Sequence, residues 1–548
     1  MIVGSSLDIV PQPIITTIGR DTRVHWGFYA SALAIEANLL ALHAYEAARI
    51  PVVPFVLHFL LAFVAYAAAL PLVLRRSPPS TGPSLSLILG CALIFRLTVL
   101  LIPPIWDDDL YRYCWDGRVG LHGINPYLYA PEAAELENLQ DDHYDFVSFK
   151  SIRTIYPPLF QFLFQLSAWI APSSLSFLKC LALFFDVALI SVLMSLLKRL
   201  RYSHAWILIY AWNPLSIKEF ANSGHMDSLV LFLLFLSLRC LLDRRFVLSH
   251  LVLGLSVLAK LFSGIALPFL LFEAYRRSRS TFLLSLTTFG AVLFLGYAPF
   301  VQAGSRLFEG LSVYSRYWNF NAGLFWLVER GLNPLAGKPW WFGRALVLAG
   351  VTGVVVWQFI VLMRGRSCRS GREHQQKDRI LPPQRRIGAG SSVIRFLPFR
   401  IQGGSPLVAA WPQSEMPARP HFHSSCEAPN ADCASVSLPQ RKRRDWLAAS
   451  TESAPLLKAV FYSLASLVLL SPAVQPWYIC WLVPFCVFFP RASWISLSGL
   501  TVLSYLFYLN FAEMVWPRFA EFGIPAGIAI WEWTRNENRQ KRHRTVES

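Results

Sequence analysis

Three consecutive aspartates follow a long apolar run in the N-terminal half of the chain. Asp107, Asp108 and Asp109 begin the stretch "DDDLYRYCWDGRV", directly behind the apolar residues 83–103. Helix capping explains one acid at such a position, but less well three. Carboxylates beside a membrane segment are unfavourable when partly desolvated, which favours a role in handling a substrate. A carboxylate here could take a proton from an acceptor hydroxyl group if its pKa suits the working pH.

The charges that follow the aspartates could compensate them. Arg112, Asp116 and Arg118 lie within the same stretch, and together with Asp107 they are candidate substrate-binding residues. Repulsion among carboxylates raises the pKa of at least one of them unless a cation is near. The two arginines could supply that charge, as could a divalent metal such as Mg²⁺ or Mn²⁺ held by Asp108 and Asp109. We predict that no cofactor is required and that such a metal is optional.

Polar residues also interrupt four later apolar segments, at 210–228, 246–275, 314–323 and 475–485. Their candidate substrate-binding residues are Lys218, His225, Asp227, Lys260, Arg316, Gln475, Trp477 and Tyr478. A polar turn, a snorkelling lysine and an interfacial aromatic belt would explain each of them singly. Taken together, the cations and aromatic rings suit a substrate with an anionic head, a sugar-like body and a lipid tail.

The composition indicates an all-α polytopic membrane protein. Of the 548 residues, 54% are hydrophobic and 15% are charged, whereas soluble proteins carry about 25% charged residues. The net charge of +17 could suggest nucleic acid, but the positive-inside bias of membrane proteins explains it better. We therefore expect membrane lipids, and no nucleic acid, as partners. The nine cysteines include no CxxC pair, so they indicate neither a disulfide framework nor a zinc module.

Apolar segments of helical length predict a bundle of about 12–14 transmembrane helices with both termini in the cytoplasm. The candidate spans are residues 27–48, 51–74, 83–103, 175–197, 203–219, 226–242, 281–299, 343–363, 456–474, 477–490, 493–512 and 519–534. The run 246–275 is predicted to form two half-length helices that meet at Lys260. Residues 156–171 are expected to lie as a helix in the outer interface, because they are short and carry two glutamines.

Three regions follow from this pattern. Residues 1–363 are predicted to form an N-terminal membrane bundle with an outer loop at 104–174, and residues 456–548 to form further membrane helices and a basic tail. Residues 364–455 form a basic cytoplasmic insertion that is expected to be disordered. A possible metal set in this insertion consists of His421, His423, Cys426 and Cys433. It lacks the paired spacing of zinc modules.

The order of these motifs resembles that of the multi-pass GT-C glycosyltransferases. The motifs are "DDLYRYCWDGRV", "WNP", "SGHMDS", "YSRYWNFN" and "QPWY", within residues 90–363 and 456–512. They look most similar to polyprenyl-phosphate-mannose-dependent mannosyltransferases, in the neighbourhood of bacterial alpha-mannosyltransferases and the catalytic subunit of the first GPI mannosyltransferase. The resemblance implies a hexosyltransferase with a polyprenyl-phosphate sugar donor and a glycan or lipid acceptor. It also implies an active site on the periplasmic face of a bacterial inner membrane.

The resemblance also assigns roles to the acids of the first outer loop. Asp108 and Asp109 match the paired acids of the family, so Asp108 is the expected general base and Asp109 the residue that assists it or holds a metal. Asp107 is an additional acid in this sequence, which leaves the register open. Asp116 and Arg118 would shape the loop.

The remaining roles concern the donor. Lys260 and Arg316 would grip the donor phosphate, and His225 and Asp227 would line the pocket between them. The expected reaction is a single displacement with inversion at the anomeric carbon. A transporter or flippase of lipid-linked sugars, and a non-catalytic subunit that scaffolds such an enzyme, are the two competing interpretations.

Overall fold

A computed structural model describes residues 15–45, 50–74, 84–332, 341–380, 440–509 and 515–547. Every named element within them is a helix, and the isolated bridge among them pairs Phe320 with Ala473 in parallel. The prediction of an all-α protein is therefore confirmed for the described part of the chain.

The helices vary widely in length. In chain order, α1 to α21 are Ile15–Ala41, Val52–Leu74, Leu85–Leu100, Asp109–Leu121, Pro158–Ile170, Leu175–Leu200, Leu208–Ala211, Pro214–Ser216, Asp227–Leu242, Phe246–Ala259, Leu267–Arg277, Arg279–Tyr297, Glu309–Tyr317, Leu324–Leu332, Trp341–Ile380, Gln440–Leu470, Pro476–Ile479, Val483–Cys486, Ala492–Leu500, Trp516–Arg518 and Ile524–Glu547. Short 3₁₀ helices cover Leu42–Ala44, Ala134–Leu139, Tyr144–Phe146, His204–Ile207, Leu261–Ala266, Ala298–Phe308 and Thr501–Leu509. Two π-helical segments cover Ile217–Asn222 and Phe519–Gly523.

Several helices have the length and composition of membrane spans. Among the described residues there are five, namely Val52–Leu74, Leu175–Leu200, Arg279–Tyr317, Trp341–Arg364 and Ala492–Leu509. A sixth is obtained if the bent pair Pro214–Asn222 and Asp227–Leu242 counts as one span. Shorter apolar helices include Leu85–Leu100 and Pro158–Ile170. This count is lower than the predicted 12–14 because turns, prolines and 3₁₀ or π segments divide several apolar runs into pieces too short to cross a bilayer core.

The predicted break at Lys260 is confirmed. Helix α10 ends at Ala259, and Lys260 has an extended backbone with φ −159° and ψ 131°. A short 3₁₀ segment and α11 then continue the chain. The predicted helix within 156–171 is also present, as α5.

A buried ion pair links three helices of the core. Arg96 on α3 donates through Nε to Asp186 of α6 at 2.5 Å, and both side chains are fully buried. A second nitrogen of the same guanidinium donates to the backbone oxygen of Ala211 at 2.6 Å, and Tyr210 donates its hydroxyl to Asp186. Removing one partner of such a pair leaves an uncompensated buried charge, which typically costs about 3–5 kcal/mol.

The chain separates into two compact units, one formed by residues 1–364 and 448–548 and the other by residues 365–447. The second unit includes the end of α15 and the start of α16. The four candidate metal-binding residues of the insertion, His421, His423, Cys426 and Cys433, lie outside the described residues. The expected disorder of the insertion concerns mainly residues 381–439, which also lie outside them.

Candidate active site

The backbone that leads into the aspartates is anchored at the end of α3. Lys179 of α6 donates to the carbonyl oxygens of Leu100 and Ile102, at 2.6 and 2.5 Å. The buried side chain of Asn222 donates to the carbonyl of Ile102 at 3.0 Å and accepts from the N–H of Ile105 at 2.9 Å. These contacts satisfy polar groups that a helix end leaves without partners, and they hold the segment against α6 and the π segment.

Trp106, the residue before the first aspartate, has a strained backbone. Its φ is +52°, in the left-handed region that side chains other than glycine rarely adopt. The indole donates to the carbonyl oxygen of Ile50 at 3.0 Å and stacks on Tyr508. Asp107 then accepts a hydrogen bond from the N–H of Asp109 at the start of α4, at 3.1 Å. Strain of this kind persists only where surrounding contacts impose it, and it is frequent at functional sites.

The aspartates meet His225, which lies in the bend where the segments Pro214–Asn222 and Asp227–Leu242 cross at 117°. Its Nε2 atom lies 2.7 Å from Asp107 Oδ2, and its Nδ1 atom lies 3.7 Å from Asp109 Oδ2. The imidazole is fully buried and stacks on Trp477, with ring centroids 4.0 Å apart. The tertiary structure thus joins the loop 104–174 to two later motifs.

Gly224 permits the close approach at this bend. Its φ is +70°, and a Cβ atom at this position would lie 2.8 Å from a methyl carbon of Leu110. A larger residue would therefore meet both a backbone penalty and a clash with α4.

A second polar layer lies behind His225. Glu219 Oε2 is 3.3 Å from its Nε2 atom, and Tyr505 donates to Glu219 Oε1 at 2.9 Å. The ammonium of Lys218 donates to Tyr505 and lies 3.3 Å from Glu219. These side chains are buried, and the donors of Lys218 are directed at protein atoms rather than at the outer loop.

Lys260 forms the cationic part of the cluster. Its ammonium lies 2.9 Å from each carboxylate oxygen of Asp227. Trp481 donates its indole N–H to Asp227 at 2.6 Å. Asp227 is almost fully buried, whereas the Lys260 side chain is 24% exposed. An ammonium has three donors, so the pair fixes the position of Lys260 and leaves it able to contact a ligand.

Aromatic rings surround this ammonium. It lies 5.3 Å from the ring centre of Tyr478 and 5.5 Å from that of Trp481, within cation–π range. Phe262 stacks on Trp481 with centroids 3.7 Å apart. The hydroxyl groups of Tyr478 and Tyr314 are hydrogen-bonded at 2.6 Å, which ties α13 to the cluster.

The environment shifts the pKa values of all three aspartates. Burial, and then the charge of Asp107, raises the pKa of Asp109 to about 7, although His225 and Lys260 oppose the shift. Asp108 is exposed but partly desolvated by the neighbouring protein, and this desolvation and then the charge of Asp107 raise its pKa to about 6. Burial disfavours the charged form of Asp107 too, but the charge and proximity of His225, the charge of Lys218 and the hydrogen bond from the N–H of Asp109 together outweigh it and lower the pKa of that carboxyl group. A neighbouring carboxylate thus raises the pKa of an aspartate, whereas a neighbouring cation lowers it.

Most of the residues predicted to form the site are brought together. Those in the cluster are Asp107, Asp109, Lys218, His225, Asp227, Lys260, Trp477 and Tyr478. Asp108 lies beside them and is exposed. Gln475 is half-buried at the start of α17, two residues before Trp477. Arg316 is exposed, two residues after Tyr314 on α13.

Arg112 and Asp116 form an internal ion pair of the loop. The Nε atom of Arg112 lies 3.0 Å from Asp116 Oδ1, and its guanidinium also donates to the carbonyl of Ile152 at 2.8 Å. Asp116 in turn accepts from Thr154 and, at 3.2 Å, from Gln161. Both charged residues are buried. The contacts of Asp116 agree with its expected loop-shaping role.

Arg118 likewise contacts the loop itself. It donates to the carbonyl of Leu139 at 2.8 Å and to the side chains of Asp141 and Ser173. This arginine therefore links α4 to the residues that precede and follow α5, as expected for a residue that shapes the loop.

Sequence reasoning did not select four residues of the cluster as site residues. Glu219 directly follows Lys218 in the polar turn, and Trp481 and Tyr314 lie within stretches already singled out for their aromatic residues. Tyr505 lies in an apolar run, where a single tyrosine gives no signal. Its proximity to Glu219 follows only from the tertiary fold.

The protein matches one known family. Residues 25–276 match the family model described as Alpha-(1->6)-mannopyranosyltransferase, N-terminal domain. This range includes the aspartates, His225 and Lys260. No curated protein and no solved structure matches the chain. The resemblance to mannosyltransferases is confirmed over residues 25–276, which are similar to the N-terminal domain of alpha-(1->6)-mannopyranosyltransferases, and this similarity supports a glycosyltransferase activity.

Proposed function

We propose that the protein is a GT-C hexosyltransferase that moves mannose from a polyprenyl-phosphate donor to an acceptor hydroxyl group on the extracytoplasmic face of the membrane. The observation that carries this proposal is the convergence of the acidic segment with Lys260. Asp109 Oδ2 lies 3.7 Å from His225, and Asp227, two residues further along the chain, contacts the ammonium of Lys260 at 2.9 Å. The cluster thus offers a base and a phosphate-binding cation at one place.

Asp108 is the proposed general base. A base must reach the hydroxyl group from which it takes the proton. Asp107 is directed at His225 and its side chain is only 3% exposed, whereas Asp108 is exposed beside the cluster. Asp109 lies near both His225 and Lys260, and it would assist by orienting the acceptor.

Lys260 is the proposed partner of the leaving phosphate. Asp227 and Trp481 fix its ammonium, and Arg316 would approach the same phosphate as a second cation. The acceptor oxygen forms a bond to the anomeric carbon as the bond from that carbon to the phosphate oxygen breaks. The proton goes to Asp108, and the charge that grows on the phosphate is stabilised by the cations. A single displacement of this kind inverts the anomeric configuration.

The aromatic rings near Lys260 would bind the sugar and the first part of the lipid. Tyr478 and Trp481 present apolar rings next to a charged group, a combination that suits a sugar carried on a phosphate. Polyprenyl tails are apolar, so the exposed apolar helices nearby would be in contact with the remainder of the donor.

One observation favours a transporter of lipid-linked sugars as a second candidate. The bent helix pair at 117° and the break at Lys260 are features that transporters use to line a binding site near the middle of the membrane. The exposed carboxylate of Asp108 beside the cluster favours the transferase, because transfer needs a base that can reach the acceptor hydroxyl group.

The test is a transfer assay with protein purified in detergent. Radiolabelled polyprenyl-phosphate mannose and an alkyl mannoside acceptor are supplied, and the product is identified by mass spectrometry. We expect product from the wild type and a loss of at least about 10²-fold in Asp108→Asn, since general-base catalysis typically contributes this much. The matched control is Asp142→Asn, an exposed acid of the same loop. Movement of intact donor across proteoliposomes without product would contradict the transferase and favour the transporter.

A further inference from the structure

Asp107, Asp109 and His225 form a group of donors suited to a metal ion. One ligand atom from each residue lies within 4.8 Å of the others. Around an ion with bonds of about 2.1 Å, donor atoms lie roughly 3 to 4 Å apart. The most distant atoms of the group therefore need to approach by less than about 1 Å, and the 2.7 Å contact of His225 Nε2 with Asp107 Oδ2 needs to widen slightly. The hydrogen bond from the N–H of Asp109 to Asp107 already keeps the two acids close.

Buried polar atoms of this group have no hydrogen-bond partner. Asp107 Oδ2 lies 2.7 Å from His225 Nε2, but the two atoms do not meet hydrogen-bond geometry. Neither they nor Nδ1 of His225 find another partner among the described residues. The imidazole is fully buried. Buried polar atoms are normally satisfied, and an ion bound by these side chains would satisfy atoms that make no hydrogen bond without it.

Negative charge also exceeds positive charge around the imidazole. Asp107, Asp109 and Glu219 all face His225, and Lys218 compensates Glu219. A protonated imidazole offsets one of the two remaining carboxylate charges, but metal binding requires the neutral imidazole, and both carboxylates then lack a counter-charge. A divalent cation at this place would neutralise them.

We propose that Asp107, Asp109 and His225 bind a divalent transition-metal ion. Mn²⁺ and Zn²⁺ accept this mixture of carboxylate and imidazole donors. The sequence suggested Asp108 and Asp109 as the metal ligands, whereas the proposed site consists of Asp109 with Asp107 and His225. Asp108 therefore remains available as the base. The open coordination positions would take oxygens of the donor phosphate. The binding of donor phosphate by the ion rests on the proposed transfer reaction, whereas the binding of the ion itself does not.

Metal binding is tested with full-length protein in detergent, stripped with EDTA and titrated with Mn²⁺. The EPR signal of free Mn²⁺ reports the unbound ion, and Zn²⁺ is then added as a competitor. We expect one saturable Mn²⁺ site per chain that Zn²⁺ displaces. His225→Gln and Asp109→Asn should each weaken binding at least tenfold, because each removes one of three ligands, and Asp142→Asn should bind as the wild type does.

Direct evidence for the imidazole comes from the wild type, so the test does not depend on whether the variants fold. Pulsed EPR of the Mn²⁺-loaded protein should show coupling to a nitrogen nucleus. Absence of that coupling, equal binding by wild type and a folded His225→Gln, or no saturable binding of either ion would overturn the proposal. Tight Mn²⁺ binding with nitrogen coupling in a protein that transfers no sugar would support the metal site and contradict the transfer reaction.

Discussion

At the residue scale, the pair formed by Asp227 and Lys260 shows how a charge is positioned at the site. The carboxylate is buried and contacts the ammonium with both oxygens, while the ammonium retains 24% exposure. A buried charge that loses its partner is strongly unfavourable. The pair therefore contributes to stability and to the position of the cation, and the two contributions are separable by mutation.

Replacing the two residues singly and together should separate these contributions. Asp227→Asn leaves Lys260 without its counter-charge and should lower stability by about 2–4 kcal/mol. Lys260→Met should leave a buried carboxylate unpaired and have a comparable effect. The double variant should recover at least about 1 kcal/mol relative to the sum of the two single variants, because the residues are in contact. Thermal unfolding in detergent measures all three.

The transfer assay, applied to the same single and double variants, tests the role of the cation. Because the double variant lacks the cation, it should regain stability but remain at least about 30-fold below the wild type in kcat/KM for the donor, as expected for a lost charged contact of 2 kcal/mol or more. Lys150→Met, in the outer loop, is the control for loss of a lysine elsewhere. Strictly additive stability effects, or recovery of transfer in the double variant, would contradict the assigned role of the pair.

At the element scale, the site depends on a bend and on the packing of one helix against it. The chain turns by 117° between Pro214–Asn222 and Asp227–Leu242, and Gly224 in this turn lies against Leu110 of α4. Helix α4 carries Asp109 at its first position. The distance from the aspartates to His225 is thus set by how closely α4 can approach the bend.

Gly224→Ala should impair the site through this packing. Its Cβ atom would lie 2.8 Å from Leu110 at a φ of +70°, so we expect a loss of about 2–4 kcal/mol of stability and reduced transfer. Gly123→Ala is a matched control, because that glycine has a φ of +76° but no heavy atom within 4 Å of the added Cβ. The control should lose only the stability that the left-handed backbone conformation requires of a residue with a side chain, about 1–2 kcal/mol. Equal effects at both positions would show that the approach of α4 is not limiting.

The outer loop gives a second prediction at this scale. Asp116 accepts from Arg112, Thr154 and Gln161, so Asp116→Ala should leave buried donors without a partner. We expect faster proteolysis within 122–157 in this variant, measured on intact protein by mass spectrometry. Asp145→Ala, at an exposed position of the same loop, should not change the cleavage rate. A role of Asp116 in substrate binding alone would instead raise KM and leave proteolysis unchanged.

At the scale of the whole molecule, the described part of the chain combines long apolar helices with a mostly buried polar cluster. The described part of the chain has five helices with the length and composition of membrane spans, or six with the bent pair. The aspartates follow the end of α3, and the basic residues around 243–245 lie between α9 and α10. If the basic residues face the cytoplasm, the proposed topology puts the aspartates on the opposite side.

Cysteine labelling tests this arrangement. In a background without the native cysteines, Asp142→Cys should react with a membrane-impermeant maleimide in intact right-side-out vesicles, because the loop is expected outside. Arg245→Cys should react only after permeabilisation. Both positions are exposed in the structure, so burial does not limit the reaction. The reverse pattern would place the acids on the cytoplasmic side and contradict the proposed donor chemistry.

The sequence by itself determined the features that depend on neighbouring residues. Apolar runs indicated helices, the interruption at Lys260 indicated a break, and the three consecutive aspartates indicated a chemical site. These features follow from local hydropathy and backbone preference, which act over a few residues. The described residues contain fewer helices of full span length than the 12–14 predicted, since hydropathy does not register the breaks that divide an apolar run.

Only the tertiary structure decided which charges meet. Trp481 and Asp227 are 254 positions apart in the sequence, and Lys218 and Tyr505 are 287 apart. No local pattern encodes such pairings, because they depend on how whole helices pack. The same packing directs Asp107 at His225 and leaves Asp108 exposed. The types of residue at the site could therefore be predicted from the sequence, whereas their partners were determined by contacts between distant segments.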